Sequence, residues 1–164
     1  MKIPMSATIS RGHSPWGDLV FAAHDAGLLG IWFDGQKHQP DLSRHHHAVH
    51  PIATAAQSQL DAYFASELAA FDVPLDLSTG TEFQQSVWRA LLGVPHGLTI
   101  SYGALSTRVG KPSAVRAVAG AVGRNPVTVI VPCHRIIGSN GALTGYAGGL
   151  HRKVALLELE TRKH

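Results

Sequence analysis

Apolar positions in the first half of the chain form two short runs followed by a helical pattern. Residues 18–24 and 28–33 are apolar and partly β-branched, and Asp25-Ala26-Gly27 joins them, which predicts a β-hairpin. Residues 53–70 repeat at helical spacing and predict a helix packed on that hairpin. Its apolar stripe consists of Leu60, Tyr63, Phe64 and Leu68. Residues 1–13 show no usable pattern.

The second half has the pattern of several short helices. Thr81 and Gln84 have capping-box spacing, which predicts a helix that begins there and ends near Gly93. Two more helices are predicted at 102–109 and 112–123, and a Gly-containing turn between two short helices is typical of a helix-turn-helix. A last helix, from about residue 150, is predicted to turn inward the side chains of Leu150, Val154 and Leu157.

Together these elements predict an α+β fold in two parts. Residues 1–78 are expected to form a small antiparallel sheet with a helix, and residues 79–164 a mainly helical part with the helix-turn-helix at about 101–123. With 45% hydrophobic residues the chain can bury a core. It has no apolar run of about 18 residues and no signal-peptide pattern, so neither a membrane span nor export is expected.

Charge is divided unevenly between the two parts. Residues 1–78 contain four Lys/Arg and eight Asp/Glu, a net charge of −4, whereas residues 79–164 contain ten and three, a net +7. A basic half is a candidate for binding a polyanion such as nucleic acid. An ordinary solvated surface remains the alternative.

The helix predicted at 112–123 has an unusual composition. From 114 to 122 every residue except Arg116 is Ala, Val or Gly. Base recognition in the major groove needs several Asn, Gln, Arg or Lys side chains. Such a helix would therefore bind nucleic acid by shape and backbone, independently of sequence, with Arg116 as its one long side chain. A fully buried core helix is the alternative.

The only cysteine, Cys133, lies between Pro132 and His134 at the end of the apolar run 127–131. The run predicts a short buried extended segment that presents the thiol at a bend. A lone cysteine is more often a buried hydrophobe than a nucleophile. His134 and Arg135, however, add positive charge that would lower the thiol pKa. A single unpaired thiol also suits a reducing, cytoplasmic location.

Histidines are concentrated in the polar segment 36–51. They are His38, His45, His46, His47 and His50. No Cys, Asp or Glu completes a recognisable ligand spacing, so a flexible solvated loop is expected rather than a metal site.

Two motifs together resemble the O6-alkylguanine-DNA alkyltransferases, also called methylated-DNA–protein-cysteine methyltransferases. They are Pro132-Cys133-His134-Arg135 and Tyr146-Ala147-Gly148-Gly149. The resemblance covers nearly all of 81–164 and is weaker over 14–72. It implies a ribonuclease-H-like first part and a helix-turn-helix that binds double-stranded DNA in the minor groove as a monomer. It also implies flipping of the damaged nucleotide into a pocket.

The resemblance further implies DNA repair by direct reversal. Cys133 would take the alkyl group of O6-alkylguanine irreversibly, so that each molecule acts once and no cofactor is required. His134, through a water, and Glu160 match the relay that removes the thiol proton. Asn125 matches the residue that braces the loop around the thiol. Tyr102 matches the tyrosine that assists flipping and is the usual proton donor to the leaving guanine.

Residue by residue, the resemblance also implies a DNA surface and a pocket wall. Arg116 matches the arginine finger that fills the space of the extruded base. The implied DNA contacts are Arg116, Tyr102, Ser113, Ala117 and Ala121. The implied pocket wall is Tyr146, Ala147, Gly148, Val122 and Ile136. The range of alkyl groups, activity on O4-alkylthymine and cooperative binding along DNA are left open.

Two other functions fit some of the same residues. Cys133, His134 and Glu160 have the groups of a cysteine hydrolase. An adjacent Cys-His pair is poorly placed for direct proton transfer, however, and the basic half has no role in hydrolysis. A DNA-binding module that recognises lesions without repairing them is the second alternative. The presence of Cys133 favours transfer over mere recognition.

Overall fold

A computed structural model describes residues 1–162 and has the α+β architecture that the sequence predicts. The first part is a four-stranded sheet in the order β3-β2-β1-β4, followed by helix α1. The elements are β1 Thr8–Ser14, β2 Gly17–His24, β3 Gly27–Phe33, β4 His46–His47 and α1 Pro51–Phe64. β1 to β3 pair antiparallel, and β4 joins β1 in parallel. The predicted hairpin is therefore β2–β3.

Strand β1 was not predicted, because its sequence gives almost no apolar signal. Only Ile9 is buried among its seven residues, and the rest are intermediate or exposed. The strand is held by its full backbone register with β2, from Thr8 opposite Ala23 to Ser14 opposite Gly17. Pairing of this kind depends on the neighbouring strand and not on the strand's own hydrophobicity.

The histidine segment is more ordered than the predicted flexible loop. His46 and His47 form β4, and His50 caps α1 by accepting a hydrogen bond from the Ile52 amide at its Nδ1, 3.1 Å away. The His50 Nε2 atom lies 2.9 Å from Asp25. Among residues 1–162 no group of three or more His, Cys, Asp or Glu side chains is arranged to hold a metal ion.

The second part contains the helices and a two-stranded parallel sheet. Its elements are α2 Glu82–Leu92, β5 Ile100–Ser101, α3 Tyr102–Arg108, α4 Val115–Gly123, a 3₁₀ helix Cys133–Arg135, β6 Ile136–Ile137 and α5 Leu150–Glu160. The predicted capping box starts α2, where Thr81 and Gln84 exchange hydrogen bonds of 3.0 and 3.1 Å. No helix within residues 1–162 is long and apolar enough to cross a membrane.

Helices α3 and α4 form the helix-turn-helix, and α4 is half buried. It begins at Val115, later than predicted, and Ala114 precedes it as an N-cap without a side-chain hydrogen bond. One face packs Val118, Ala121 and Val122 into the core, while Arg116 stays exposed on the other. The fully buried alternative is therefore wrong, and α4 presents a surface of small residues.

Helix α5 does not bury the predicted stripe. Leu150 is 47% exposed, and Val154 and Leu157 are only partly buried. The buried residues are Lys153, Leu156, Leu159 and Glu160. The prediction failed because two charged side chains face the interior, where hydrogen-bond partners satisfy them.

Candidate active site

The approach to the thiol is a tight buried turn. Val127 bridges to Ile31, and the Val131 amide then donates back to the Val127 carbonyl over 2.9 Å. Val129 has φ = 74°, a left-handed value that costs a β-branched residue on the order of 1–3 kcal/mol. The run 127–131 is thus buried as predicted, but it turns instead of extending.

Asn125 braces this turn at both ends. Its Oδ1 accepts from the Val127 amide at 2.9 Å, and its Nδ2 donates to the Val131 carbonyl at 2.8 Å. The same Nδ2 lies 3.1 Å from the Sγ of Cys133. One buried side chain therefore fixes the turn and positions the sulfur.

Cys133 opens the 3₁₀ helix and is 6% exposed. Burial raises the pKa of its thiol, and the Asn125 hydrogen bond and the charge of Lys153 oppose that rise. The expected lowering of the pKa by His134 and Arg135 is wrong, because both side chains are bound to Glu160. The resting group is accordingly a protonated thiol that needs a base before it can attack.

The sulfur lies on the wall of a cavity of about 270 Å³. That volume is just below the roughly 300 Å³ at which small-molecule pockets begin. Lining residues from the second part are Tyr102, Ala119, Val122, Gly123, Cys133, Gly145, Tyr146 and Ala147, and Lys37 and His38 join them from the loop after β3. The buried Tyr146 hydroxyl has no hydrogen-bond partner within residues 1–162, which suits a polar ligand in the cavity.

Glu160 is the centre of a buried hydrogen-bond network that includes His134, the residue after the thiol. His134 Nε2 lies 2.7 Å from its Oε2, Arg135 donates two bonds of 2.8 Å, and the Tyr63 hydroxyl donates over 2.6 Å. Burial alone would raise the pKa of Glu160, but the hydrogen bonds from His134 and Arg135 hold it well below the ordinary value. Glu160 is therefore ionised in the resting protein.

His134 is fully buried and oriented by that carboxylate. Burial lowers the pKa of its imidazole, and the hydrogen bond and charge of Glu160 partly offset the effect. Its Nδ1 makes no hydrogen bond to any residue in the described part of the chain. The side chain is thus a neutral base with one free ring nitrogen.

Two members of this network were missed as site residues. Tyr63 comes from α1, 97 positions before Glu160, and Arg135 also donates to the Val94 carbonyl over 2.7 Å. Only three-dimensional packing brings Tyr63 to the site. The adjacent basic residue Arg135 was noticed, but as a charge on the thiol and not as a partner of Glu160.

Lys153 holds the pocket loop from inside. Its buried Nζ donates to the carbonyls of Ile136, Thr144 and Gly145 at 2.5, 2.8 and 3.4 Å. No pattern in the sequence marked Lys153 as a buried or functional residue. The ammonium group fixes the segment that carries Tyr146 and Ala147.

Two residues assigned to the pocket wall by resemblance do not line the cavity. Ile136 belongs to β6 and is fully buried in the core, where only its backbone carbonyl serves the site by binding Lys153. Gly148 packs where a Cβ would lie within 3.0 Å of the rings of Tyr146 and Phe33. It permits close packing behind the wall and does not form the wall.

The residues assigned to DNA contact do not all share one surface. Ser113, Arg116 and Ala117 are exposed around the start of α4, and Tyr102 lies at the start of α3. Ala121 is only 3% exposed, and its carbonyl accepts the indole N–H of Trp88 at 2.8 Å. Its assignment to the DNA surface is therefore not supported, because it lies on the core face of α4.

Comparison with known families accounts for both parts of the chain. The family model described as 6-O-methylguanine DNA methyltransferase, DNA binding domain, matches residues 82–162. The model described as 6-O-methylguanine DNA methyltransferase, ribonuclease-like domain, matches residues 8–77.

Individual relatives are similar over nearly their whole length. The methylated-DNA–protein-cysteine methyltransferase of Mycobacterium bovis is 53% identical, covering 90% of this chain and 88% of that protein. The protein of that name from Methanosarcina acetivorans is 46% identical, with 90% and 94% covered. The crystal structure of Mycobacterium tuberculosis OGT in complex with DNA matches with a TM-score of 0.85 at 47% identity, covering 93% of this chain and 92% of that one.

Proposed function

The chain belongs to the 6-O-methylguanine DNA methyltransferase family, and from that membership we propose how its cavity and buried network carry out the transfer. The protein repairs DNA by moving the alkyl group of O6-alkylguanine to its own cysteine. The observation that carries the proposal is the position of Cys133, the only thiol, on the cavity wall beside the His134–Glu160 pair.

Transfer is a displacement at the alkyl carbon. The Cys133 sulfur forms the S–C bond while the C–O6 bond breaks, and the thiol proton passes to His134. The departing guanine takes a proton from Tyr102, whose pKa is raised by burial, so that the phenol stays protonated and able to donate. The tyrosinate then regains a proton from water, which balances the proton lost by the thiol. The thioether is not hydrolysed, so each molecule acts once, and no cofactor takes part.

Glu160 makes His134 an adequate base despite its burial. The free Nδ1 of His134 receives the thiol proton, through a water as in the family relay, and the resulting imidazolium is stabilised by the carboxylate 2.7 Å from Nε2. Asn125 and Lys153 contribute by holding the thiol turn and the pocket loop in place.

DNA is bound through the exposed start of α4. We infer contact in the minor groove, independent of base sequence, because small residues allow close approach and Arg116 is the one long side chain there. Arg116 occupies the gap left by the extruded nucleotide, with Tyr102, Ser113 and Ala117 beside it. We further propose a monomeric protein whose two parts are divided at residues 78/79. We place it in the cytoplasm because the unpaired thiol suits a reducing compartment.

The direct test is to incubate the protein with duplex DNA containing O6-methylguanine and to determine the mass of the peptide that contains Cys133. One added methyl group per molecule, with no further turnover, is expected. An unmodified peptide with DNA binding intact would favour a lesion-recognition module, and multiple turnover would favour a hydrolase.

Replacing Arg116 with alanine should slow repair of duplex DNA by about tenfold, because about 1.4 kcal/mol of the few kcal/mol that base extrusion costs would no longer be offset. Reaction with free O6-methylguanine base should be unchanged. Single-turnover rates on the two substrates measure the difference. Arg44→Ala is the matched control, since it removes the same charge from an exposed site in the acidic first part. Equal losses on both substrates would exclude the finger role.

A further inference from the structure

His96 lies next to the buried network, but it does not line the alkyl cavity. Its Nδ1 is 4.0 Å from Glu160 Oε2, and its side chain is 28% exposed. The residue follows Pro95 in the loop after α2, and its ring meets the Tyr63 ring edge-on at 5.9 Å. His96 is therefore held between the carboxylate and the exterior.

The Nδ1 atom of His96 is buried and makes no hydrogen bond within residues 1–162. Buried polar atoms normally have a partner, so an orphaned imidazole nitrogen beside a carboxylate needs an explanation. A movement of about 1 Å would bring it to the hydrogen-bond distance of about 3.0 Å.

The exposed side of His96 opens on a second cavity, of about 350 Å³. Its wall includes Phe71, Pro95, Pro132 and Arg135, but not Cys133. Two neighbours of the Glu160 carboxylate, Arg135 and His96, thus line an opening that is separate from the thiol cavity. An imidazole between the carboxylate and this opening can connect the network with water outside.

The charges of the network favour such a connection after the proton has reached His134. Glu160 cannot retain a proton, because hydrogen bonds from His134 and Arg135 hold its pKa well below the ordinary range. His134 also holds an added proton only weakly, since burial lowers the pKa of its imidazole. Imidazole is the side chain that takes up and releases protons most readily near neutral pH.

We propose that His96 is the outer end of the proton relay and delivers the thiol proton to solvent. The inference rests on the transfer reaction proposed above. The sulfur keeps its electron pair and forms the S–C bond, while its proton enters at His134 Nδ1. His134 passes its Nε2 proton through Glu160 to His96 Nδ1, and His96 releases its own Nε2 proton to water. His96 touches neither substrate nor thiol and acts through Glu160.

The test is the single-turnover rate of methyl transfer to Cys133 in His96→Ala. We expect a loss of about tenfold, less than the roughly 10²–10⁴-fold typical of a base in direct contact. Imidazole in the buffer should restore most of the rate, because the truncation widens an open cavity beside Glu160. Pyrazole, a ring of the same shape and a far weaker base, should not restore it.

Two more variants separate proton transfer from packing. His96→Phe keeps an aromatic ring against Tyr63 but carries no proton, so it should be as slow as His96→Ala. His47→Ala, at an exposed position in the sheet, should react at the wild-type rate. A full rate in His96→Phe, or a loss in His96→Ala that imidazole does not reverse, would overturn the inference. Wild-type transfer in the same assay keeps that outcome distinct from a failure of the proposed function.

Discussion

Cys133→Ser is expected to abolish alkyl transfer, with a loss of at least about 10³-fold, while DNA affinity stays near the wild-type value. The serine hydroxyl can still accept the Asn125 hydrogen bond, so the turn should keep its shape. It is a much weaker nucleophile than a thiolate, however, and His134 is too weak a base to ionise it. Transfer of labelled methyl groups and binding to duplex DNA are the two measurements.

Cys133→Ala is the companion variant, because it removes the hydrogen-bonding atom as well as the nucleophile. It should also bind DNA and fail to react. If both variants lost DNA affinity together with transfer, the thiol would be holding the fold and not serving as the acceptor.

Glu160→Gln is expected to lower the free energy of unfolding by about 3 kcal/mol, because it leaves the buried Arg135 guanidinium without its counter-charge. The transfer rate should fall as well, since an amide cannot stabilise an imidazolium at His134. Chemical denaturation and single-turnover assays measure the two effects. Glu158→Gln is the control on the same helix, where the side chain is exposed and little change is expected.

Wild type and Glu160→Gln should differ in how their free energy of unfolding depends on pH. The pKa of Glu160 is lowered in the folded state, so the stability it contributes is complete above the ordinary value of 4.5 and is lost as pH falls below it. Glutamine does not titrate. The stability difference between wild type and Glu160→Gln should therefore be constant from pH 7 to about 5 and shrink at lower pH. A difference independent of pH down to acid unfolding would contradict the depressed pKa.

Local signals in the sequence predicted many of the helices and strands. The capping box at Thr81 and Gln84 and the turn signal Asp25-Ala26-Gly27 after β2 depend on neighbours a few residues apart, and both elements formed where expected. Glu160 was a less decisive case. A carboxylate at the C-terminal end of a helix is unfavourable, and on local grounds it fits a tertiary partner or an exposed side chain equally well. In the structure the partners of Glu160 are His134 and Arg135.

The remaining features depend on distant parts of the chain and could not be predicted locally. Strand β1 depends on pairing with β2, and the turn at 127–131 depends on the Asn125 amide. Lys153 would be placed on the surface by any hydropathy pattern. It is buried because three carbonyls receive its ammonium group, and no sequence pattern shows that these carbonyls converge.

The hydrogen bond from Tyr63 to Glu160 ties a helix of the sheet-bearing part to the chemistry of the thiol. Because of it, a substitution under α1 that never approaches DNA can change how readily the sulfur reacts. Repair-deficient alleles should therefore be sought throughout the gene and not only in the segment encoding the DNA surface. A fragment of residues 79–164 would be an incomplete substitute for the whole protein in inhibitor screens.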